Sequence, residues 1–223
     1  MRRAQPEDRD VVVWDLPTRA FHWLTVILVA AAYATWRLNW MDWHAWSGDA
    51  VLALLLFRLV WGFIGSETAR FSRFLASPRA AAHHIARLLT REPDIQVGHN
   101  PAGGWMVLLL LALLLGQTLT GIVDNNDVAD AGPLTDIMPP AVSNAIDALH
   151  TLLWNALAAA VALHLIAIAV YAIAKRHNLL RPMLTGRKRL PRASTLPRLA
   201  SPALALLVLC GSAVAAALLA NFL

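Results

Sequence analysis

Cysteine and charged residues are both scarce in this sequence. The chain of 223 residues contains one cysteine, Cys210, and only 15% of its residues are charged. A single cysteine excludes an internal disulfide, a CxxCH motif for covalent haem attachment and a cysteine-ligated iron–sulfur cluster. Cys210 lies within an apolar run, where a thiol usually acts as a small packing residue. The functional groups of this protein are therefore expected among other residue types.

Apolar residues make up 58% of the chain and occur in long blocks, which is typical of membrane spans rather than of a soluble core. The pattern predicts an all-α membrane helical bundle with five spans. The N-terminal residues are too polar for a signal peptide, so the first span is expected to remain in the protein. The predicted spans are Phe21–Leu38, Trp46–Ile64, Trp105–Val123, Leu149–Ala174 and Pro202–Phe222.

The distribution of basic residues predicts the orientation of these spans. All but two of the 19 Lys and Arg precede the first span or lie between spans two and three or spans four and five. The opposite side carries aspartates, and Arg37 is the only basic residue near it. By the positive-inside rule, the N-terminus is cytoplasmic and the C-terminus lies outside. The high isoelectric point therefore reflects membrane topology and does not indicate nucleic-acid binding.

Two histidines distinguish the fourth span. His150 and His164 are 14 residues apart in an alanine-rich helix, which corresponds to ~21 Å of depth in a hydrocarbon core of ~30 Å. Because this spacing is just under four turns, both imidazoles are expected on one face of the helix, one near each membrane surface. Two ligand-type side chains in this arrangement indicate one half of each of two stacked metal sites.

The first two spans offer a partner at each depth. His22 lies at the cytoplasmic start of span one, and His44 lies at the outer start of span two. Pairing by depth predicts His22 with His164 and His44 with His150, with the two members of each pair on different helices. Two imidazoles without an acidic or thiolate ligand suit a low-spin b-type haem, whereas zinc usually recruits further protein ligands. Isolated hydrogen bonds between helices are the structural alternative for these histidines.

Arg58 favours the haem interpretation. An arginine inside a span is costly and needs an anion, but no Asp or Glu lies in the spans at its depth. The anion is therefore expected to come from outside the protein, and haem propionates would supply it. Gly48, one turn after His44, and the alanines around His164 would leave space for a macrocycle.

Four motifs resemble the bacterial cytochrome b561 family, which includes the b-type subunits of membrane-bound nickel–iron hydrogenases. They are VWDLPTRAFHW, WHAWSG, GHNPAGGW and LHTLLWNALAAAVALH, and the resemblance covers about Val11 to Gly186. It implies a four-helix core with two b-type haems. By motif position, it implies that the axial ligands are His22, His44, His150 and His164.

The fifth span departs from the short form of that family. The expected organisation is a di-haem four-helix membrane domain at residues 1–186, followed by a basic cytoplasmic linker and an extra transmembrane helix at residues 187–223. The linker should adhere to anionic lipid headgroups. Small residues in the last helix would allow it to pack against another helix or a second copy of the chain.

The resemblance implies transmembrane electron transfer in the bacterial inner membrane, between the quinone pool and a periplasmic redox protein such as a c-type cytochrome. Alternatives within the family are a superoxide oxidase that reduces quinone and the b subunit of a larger oxidoreductase. The first needs a cationic outer funnel, and the outer face here is acidic. A haem-free transporter or anchor is the non-redox alternative. Candidates for quinone contact are Arg37, Gln117, Thr118 and Asn155.

Overall fold

The computed structural model is a bundle of long helices with a small sheet at one end. It describes residues 8–87, 90, 96–123, 138–191 and 194–222. The long helices are α1 (Leu16–Arg37), α2 (Met41–Ile64), α5 (Pro101–Ile122), α6 (Pro140–Ile173) and α8 (Pro202–Phe222). Between them lie a 3₁₀ turn at Glu67–Ala69 and the short helices α3 (Phe71–Phe74), α4 (Pro78–Ala86) and α7 (Leu180–Thr185). Strands β1 (Asp8–Val12) and β2 (Arg187–Pro191) pair in antiparallel fashion.

Within the described residues, four helices are long and apolar enough to cross a membrane, namely α2, α5, α6 and α8. They confirm the predicted all-α membrane bundle. The first predicted span folds as α1, with 22 residues, but α1 is not one of the four. His22 and Arg37 lower its mean hydropathy because each places a strongly polar group in the helix. Of the five predicted spans, α1 is therefore the least apolar.

Helices α1 and α2 form an antiparallel hairpin that is held at both ends. At one end, the Asp15 carboxylate accepts a hydrogen bond from Trp61 Nε1 at 3.1 Å and caps α1 by accepting from Thr18 N at 2.8 Å. At the other end, His44 Nδ1 lies 2.8 Å from the carbonyl oxygen of Ala32. These contacts determine the register of the two helices and hence the depth of the histidine on each.

Helix α2 is the central helix of the bundle. It packs against α1, α5 and α8, whereas α6 packs along α5. Tyr33 of α1 and Trp154 of α6 stack with ring centroids 5.1 Å apart, which links α6 to the hairpin. The extra helix α8 is seated on α2, where Ala205 packs with Phe57 and Trp61. The main hydrophobic core joins α2, α3, α5 and α6 through Val51, Leu55, Phe71, Phe74, Leu111, Leu114 and Leu157.

The three basic segments of the chain meet at one end of the bundle. Strand β1 precedes α1 and pairs with β2, which follows α6. Thr68, between α2 and α3, donates a hydrogen bond to the carbonyl of Val13 at 2.6 Å, and Ala200 N donates to Ser66 Oγ at 2.9 Å. The N-terminal segment, the α2–α5 connection and the α6–α8 linker are therefore on the same side, which is the arrangement that the charge pattern requires.

Two connections between the predicted spans contain helical residues. Helix α6 begins at Pro140, well before the predicted start of span four, so the last part of the connection between spans three and four is helical. Residues 124–137, which carry most of the aspartates of this connection, lie outside the described residues. The connection between spans two and three contains α4, which is capped by Ser77 and ends at Ala86.

Replacing Asp15 with Ala removes the cap of α1 and the acceptor of the Trp61 indole. We expect the free energy of unfolding to fall by roughly 2–4 kcal/mol, since a helix cap contributes ~1 kcal/mol and a buried donor left unpaired costs ~1–3 kcal/mol. Thermal unfolding in detergent measures this loss. The Asp15→Asn variant keeps a carbonyl acceptor and should lose less. Equal losses in the two variants would show that the negative charge matters rather than the hydrogen bonds.

Candidate functional site

The end of the bundle opposite the β1–β2 sheet, called the outer end here, brings together one histidine from α2 and one from α6; the end that carries the sheet is called the inner end. The ring centroids of His44 and His150 are 6.4 Å apart, and their planes cross at 77°. A metal ion bonded to one nitrogen of each ring, with bonds of ~2 Å, holds the ring centroids roughly 6 Å apart. The separation of these two rings would therefore allow both to bond one metal ion, each through a ring nitrogen.

A backbone contact defines the tautomer of His44. Its Nδ1 atom lies 2.8 Å from the carbonyl oxygen of Ala32 on α1. Because a carbonyl oxygen only accepts, Nδ1 carries the proton and Nε2 keeps its lone pair. Metal-ligating histidines usually donate their other ring N–H to such a group. His44 thus has the tautomer that a ligand bonding through Nε2 needs.

Helix α5 contacts both nitrogens and one carbon of the His150 ring. Thr120 Oγ1 lies 3.0 Å from Nδ1 of His150, and Gln117 Nε2 lies 2.8 Å from its Nε2. Gly121 passes so close that an added Cβ would come within 3.0 Å of His150 Cε1. Metal binding at Nε2 requires Gln117 to release that nitrogen. Among the described residues, the amide oxygen of Gln117 is buried and has no hydrogen-bond partner, so this side chain is incompletely satisfied where it lies.

A second group of imidazoles lies at the inner end of the bundle. His164 of α6 acts electrostatically on His22 of α1 and on His99, which precedes α5. The Nδ1 atoms of His22 and His99 are buried and lack a hydrogen-bond partner within the described part of the chain. Since buried ring nitrogens are normally paired, these atoms indicate that a further polar group fits at this level.

His99 also lies at the inner level, although the pairing of histidines by depth did not include it. Its ring packs between Trp14 and Phe74, with centroids 4.6 Å from each. Burial, together with the nearby charges of Arg58 and His164, lowers the pKa of His99 to about 3. The ring is therefore neutral at physiological pH. In the sequence, His99 appears only within the GHNPAGGW motif before α5. Its position in that motif does not reveal which helices the ring contacts.

Arg58 lies at the same inner level and is 2% exposed. Its guanidinium carbon is 5.0 Å from the ring centroid of Phe71. Asp15 also acts electrostatically on this guanidinium, so one anionic side chain of the protein lies near it. Sequence position concealed this neighbour, since Asp15 precedes α1 rather than lying in a span. Nη1 of Arg58 is nevertheless buried without a hydrogen-bond partner among the described residues, so a further acceptor fits beside it.

Space and ligand number both suit a group held by two histidines. A Cβ added at Gly48, one turn after His44, would meet no atom within 4 Å. Across the described ranges, no group of three or more His, Cys, Asp or Glu could hold a metal ion. A metal with only two protein ligands takes its remaining ligands from elsewhere, and a porphyrin supplies four nitrogens in one plane. The residues present therefore fit a haem at the outer level.

The residues proposed for quinone contact lie on three different helices. Arg37 ends α1, and Asn155 is exposed on α6. Gln117 and Thr118 are neighbours on α5, where the Thr118 hydroxyl donates to a carbonyl of its own helix at 3.1 Å. Of these side chains, Gln117 is the one in hydrogen-bond contact with a histidine of the predicted pairs.

Comparison with known proteins gives one result for this chain. The family model for prokaryotic cytochrome b561 matches residues 13–186. No curated protein and no solved structure matches the chain. The matched range contains both histidine pairs and Arg58, and it ends before β2 and α8 begin.

Replacing Gly121 with Ala should displace the His150 ring, since the new Cβ would lie 3.0 Å from Cε1. Gly211→Ala is the matched control, because a Cβ there meets nothing within 4 Å. Both changes gain the helix propensity of Ala, ~1 kcal/mol, but overpacking costs ~1–3 kcal/mol. We expect Gly121→Ala to unfold at a lower temperature than Gly211→Ala. Equal unfolding temperatures for the two variants would contradict a close contact between α5 and His150.

Proposed function

Because the chain belongs to the prokaryotic cytochrome b561 family, we propose that it transfers electrons across the membrane through two b-type haems at two depths. Membership establishes that this is a multi-pass membrane protein that binds haem b, contacts lipid and takes part in electron transfer. Beyond that, we propose the number of haems, their four ligands, a quinone as one redox partner and a periplasmic protein as the other.

The outer pair of histidines is the observation that best supports this function. We assign His44 and His150 as the axial ligands of the outer haem, since their rings are 6.4 Å apart and come from separate helices. A haem held by two imidazoles supplies reversible one-electron chemistry at its iron. The protein holds Nδ1 of each histidine through α1 and α5, and Nε2 of His150 would become available when Gln117 releases it.

We assign His22 and His164 as the ligands of the inner haem. His164 acts electrostatically on His22, and the Nδ1 atom of His22 is buried and unpaired within the described residues. Arg58 offers a buried positive charge and an unpaired N–H at the same level. A propionate would accept that hydrogen bond and offset the charge, which makes Arg58 a determinant of the inner haem's potential.

Helix α6 connects the two levels. His150 and His164 share one face of it, with ~21 Å between them along the helix axis. Apolar side chains of α2, α5 and α6 fill the core beside this path. The low-polarity interior suits one-electron transfer between two haems better than the passage of an ion.

The charge distribution indicates which partner each face meets. The end that carries the β1–β2 sheet is basic, and we propose that it lies against the anionic headgroups of the cytoplasmic leaflet of a bacterial inner membrane. The other end carries Asp42, Asp49 and Asp147, and we propose that it faces the periplasm. An acidic face there would attract a basic c-type cytochrome by electrostatic steering, while a quinone exchanges electrons within the bilayer.

Haem content per chain tests the ligand assignment. We expect two b-type haems in the wild-type protein, seen as a reduced-minus-oxidised optical spectrum with haem quantified against protein. His164→Ala should lose the inner haem and keep the outer one, and His150→Ala should lose the outer haem and keep the inner one. The reason is that each substitution removes one of two axial bonds at a single level.

Two control variants, at His99 and His83, are compared with a third substitution at the proposed inner ligand His22. His99→Phe preserves an aromatic ring between Trp14 and Phe74 and should retain both haems, whereas His22→Ala should lose the inner one. His83→Ala, on the exposed face of α4, should leave the haem content unchanged. A protein that loses a haem with His99→Phe but not with His22→Ala would show that the inner pair is wrongly assigned.

Docking at the acidic end should depend on ionic strength. We expect the rate of electron exchange with a basic c-type cytochrome to fall as salt rises, because screening removes steering beyond a Debye length of ~10 Å at 0.1 M. Asp42→Lys should slow the reaction at low salt, measured by stopped-flow absorbance. The control Asp10→Lys makes the same charge change at the opposite end and should have little effect. A rate that does not vary with salt would rule out this mode of docking.

A further inference from the structure

Helix α5 carries no histidine, yet it makes the closest polar contacts to His150. Thr120 Oγ1 lies 3.0 Å from Nδ1 of His150. The same hydroxyl lies 2.8 Å from the carbonyl oxygen of Gly116 and 3.1 Å from that of Gln117. Thr120 therefore joins the backbone of α5 to the side of the His150 ring that faces away from Nε2.

Counting protons fixes the direction of these hydrogen bonds. A hydroxyl has one proton to donate, and a carbonyl oxygen can only accept. The proton of Thr120 is therefore used toward the nearer carbonyl, that of Gly116, and the oxygen lone pair accepts from His150 Nδ1–H. Nε2 of His150 is then unprotonated. With its amide nitrogen toward His150, Gln117 donates to this unprotonated Nε2.

The two outer histidines differ in the group that holds them. Nδ1 of His44 donates to the carbonyl of Ala32, which is part of the backbone. Nδ1 of His150 donates to the Thr120 side chain, which a substitution can remove without changing the backbone. Gly121 completes the arrangement, since a side chain at that position would press on Cε1 of His150. The orientation of the His150 ring is consequently set by α5.

We propose that Thr120 is a positioning residue that, through His150, sets the reduction potential of the outer haem. This inference rests on the proposed function, in which His150 is an axial ligand. A hydrogen-bond acceptor at Nδ1 makes an imidazole a more electron-donating ligand. Stronger donation stabilises ferric iron relative to ferrous iron. Loss of the acceptor at Thr120 should therefore raise the outer haem's potential.

Redox titration of the full-length protein, followed at the haem α-band, measures this effect. Thr120→Val keeps the size of the side chain and removes the acceptor, and Thr120→Ser keeps the acceptor. We expect Thr120→Val to shift the redox equilibrium of one haem on the order of tenfold, about 59 mV for a one-electron couple, and to leave the other haem in place. Thr120→Ser should titrate like the wild type.

Thr185→Val is the control, because the Thr185 hydroxyl also donates to a carbonyl of its own helix, that of Arg181 at 2.9 Å, and lies on α7 away from the histidines of the outer level. It should leave both potentials unchanged. Introducing Thr120→Val into His164→Ala, which should retain only the outer haem, assigns the shift to that haem. The low-spin ferric signals in electron paramagnetic resonance give a second measure of how the His150 ring is oriented.

The possible outcomes separate the two proposals. Thr120→Val with both haems bound and both potentials at the wild-type value would overturn the role of Thr120 and leave the proposed function intact. A shift of both haems by the same amount, or a shift in Thr185→Val as well, would also overturn it. A wild-type protein without haem would instead refute the proposed function itself. Loss of the outer haem from Thr120→Val, with retention in Thr120→Ser, would support positioning by the hydroxyl.

Discussion

The buried carboxylate of Asp15 is the contact on which the inner half of the bundle depends. It caps the first turn of α1, accepts the indole N–H of Trp61 on α2 and acts on the charge of Arg58. A buried carboxylate is stable only when its oxygens are hydrogen-bonded and an opposite charge is near, and these contacts supply both conditions. Because α1 cannot slide along α2 without breaking them, Asp15 fixes the register of the two helices together with the contact of His44 with Ala32 at the other end.

The histidines of the two levels differ in how their polar atoms are hydrogen-bonded. At the outer level the protein itself holds the rings, since α1 accepts from His44 and α5 contacts both ring nitrogens of His150. At the inner level, Nδ1 of His22 and Nη1 of Arg58, a ring nitrogen and a charged group, are buried without a partner among the described residues, whereas the unpartnered atom beside His150 is the neutral amide oxygen of Gln117. In a low-dielectric interior, paired polar groups rigidify a site and unpaired ones are costly. The outer level therefore depends on protein contacts, whereas the inner level suits a charged ligand.

Particular residues show how far sequence analysis reaches in this chain. The 14-residue spacing of His150 and His164 predicts two depths, and His44 does lie beside His150; the role of these residues as haem ligands stays a prediction. The early start of α6 at Pro140 had a local signal, because proline is favoured in the first turn of a helix. Nothing comparable pointed to Asp15 as a neighbour of Arg58 or to Thr120 as a partner of His150.

Depth along the bundle was readable from residue order, because an α-helix has a constant rise and the charged segments can lie only outside the hydrocarbon core. Helix rise and the position of charged segments are sufficient to predict three features. These are the membrane-spanning helices, the common side of the basic segments and the level of each histidine. The sequence did not reveal which helices contact each other, because those contacts depend on how the helices pack. Helices that are apolar on all sides carry little information about the face they turn to a neighbour, so the seat of α8 on α2 and the contact of α5 with His150 required the assembled fold.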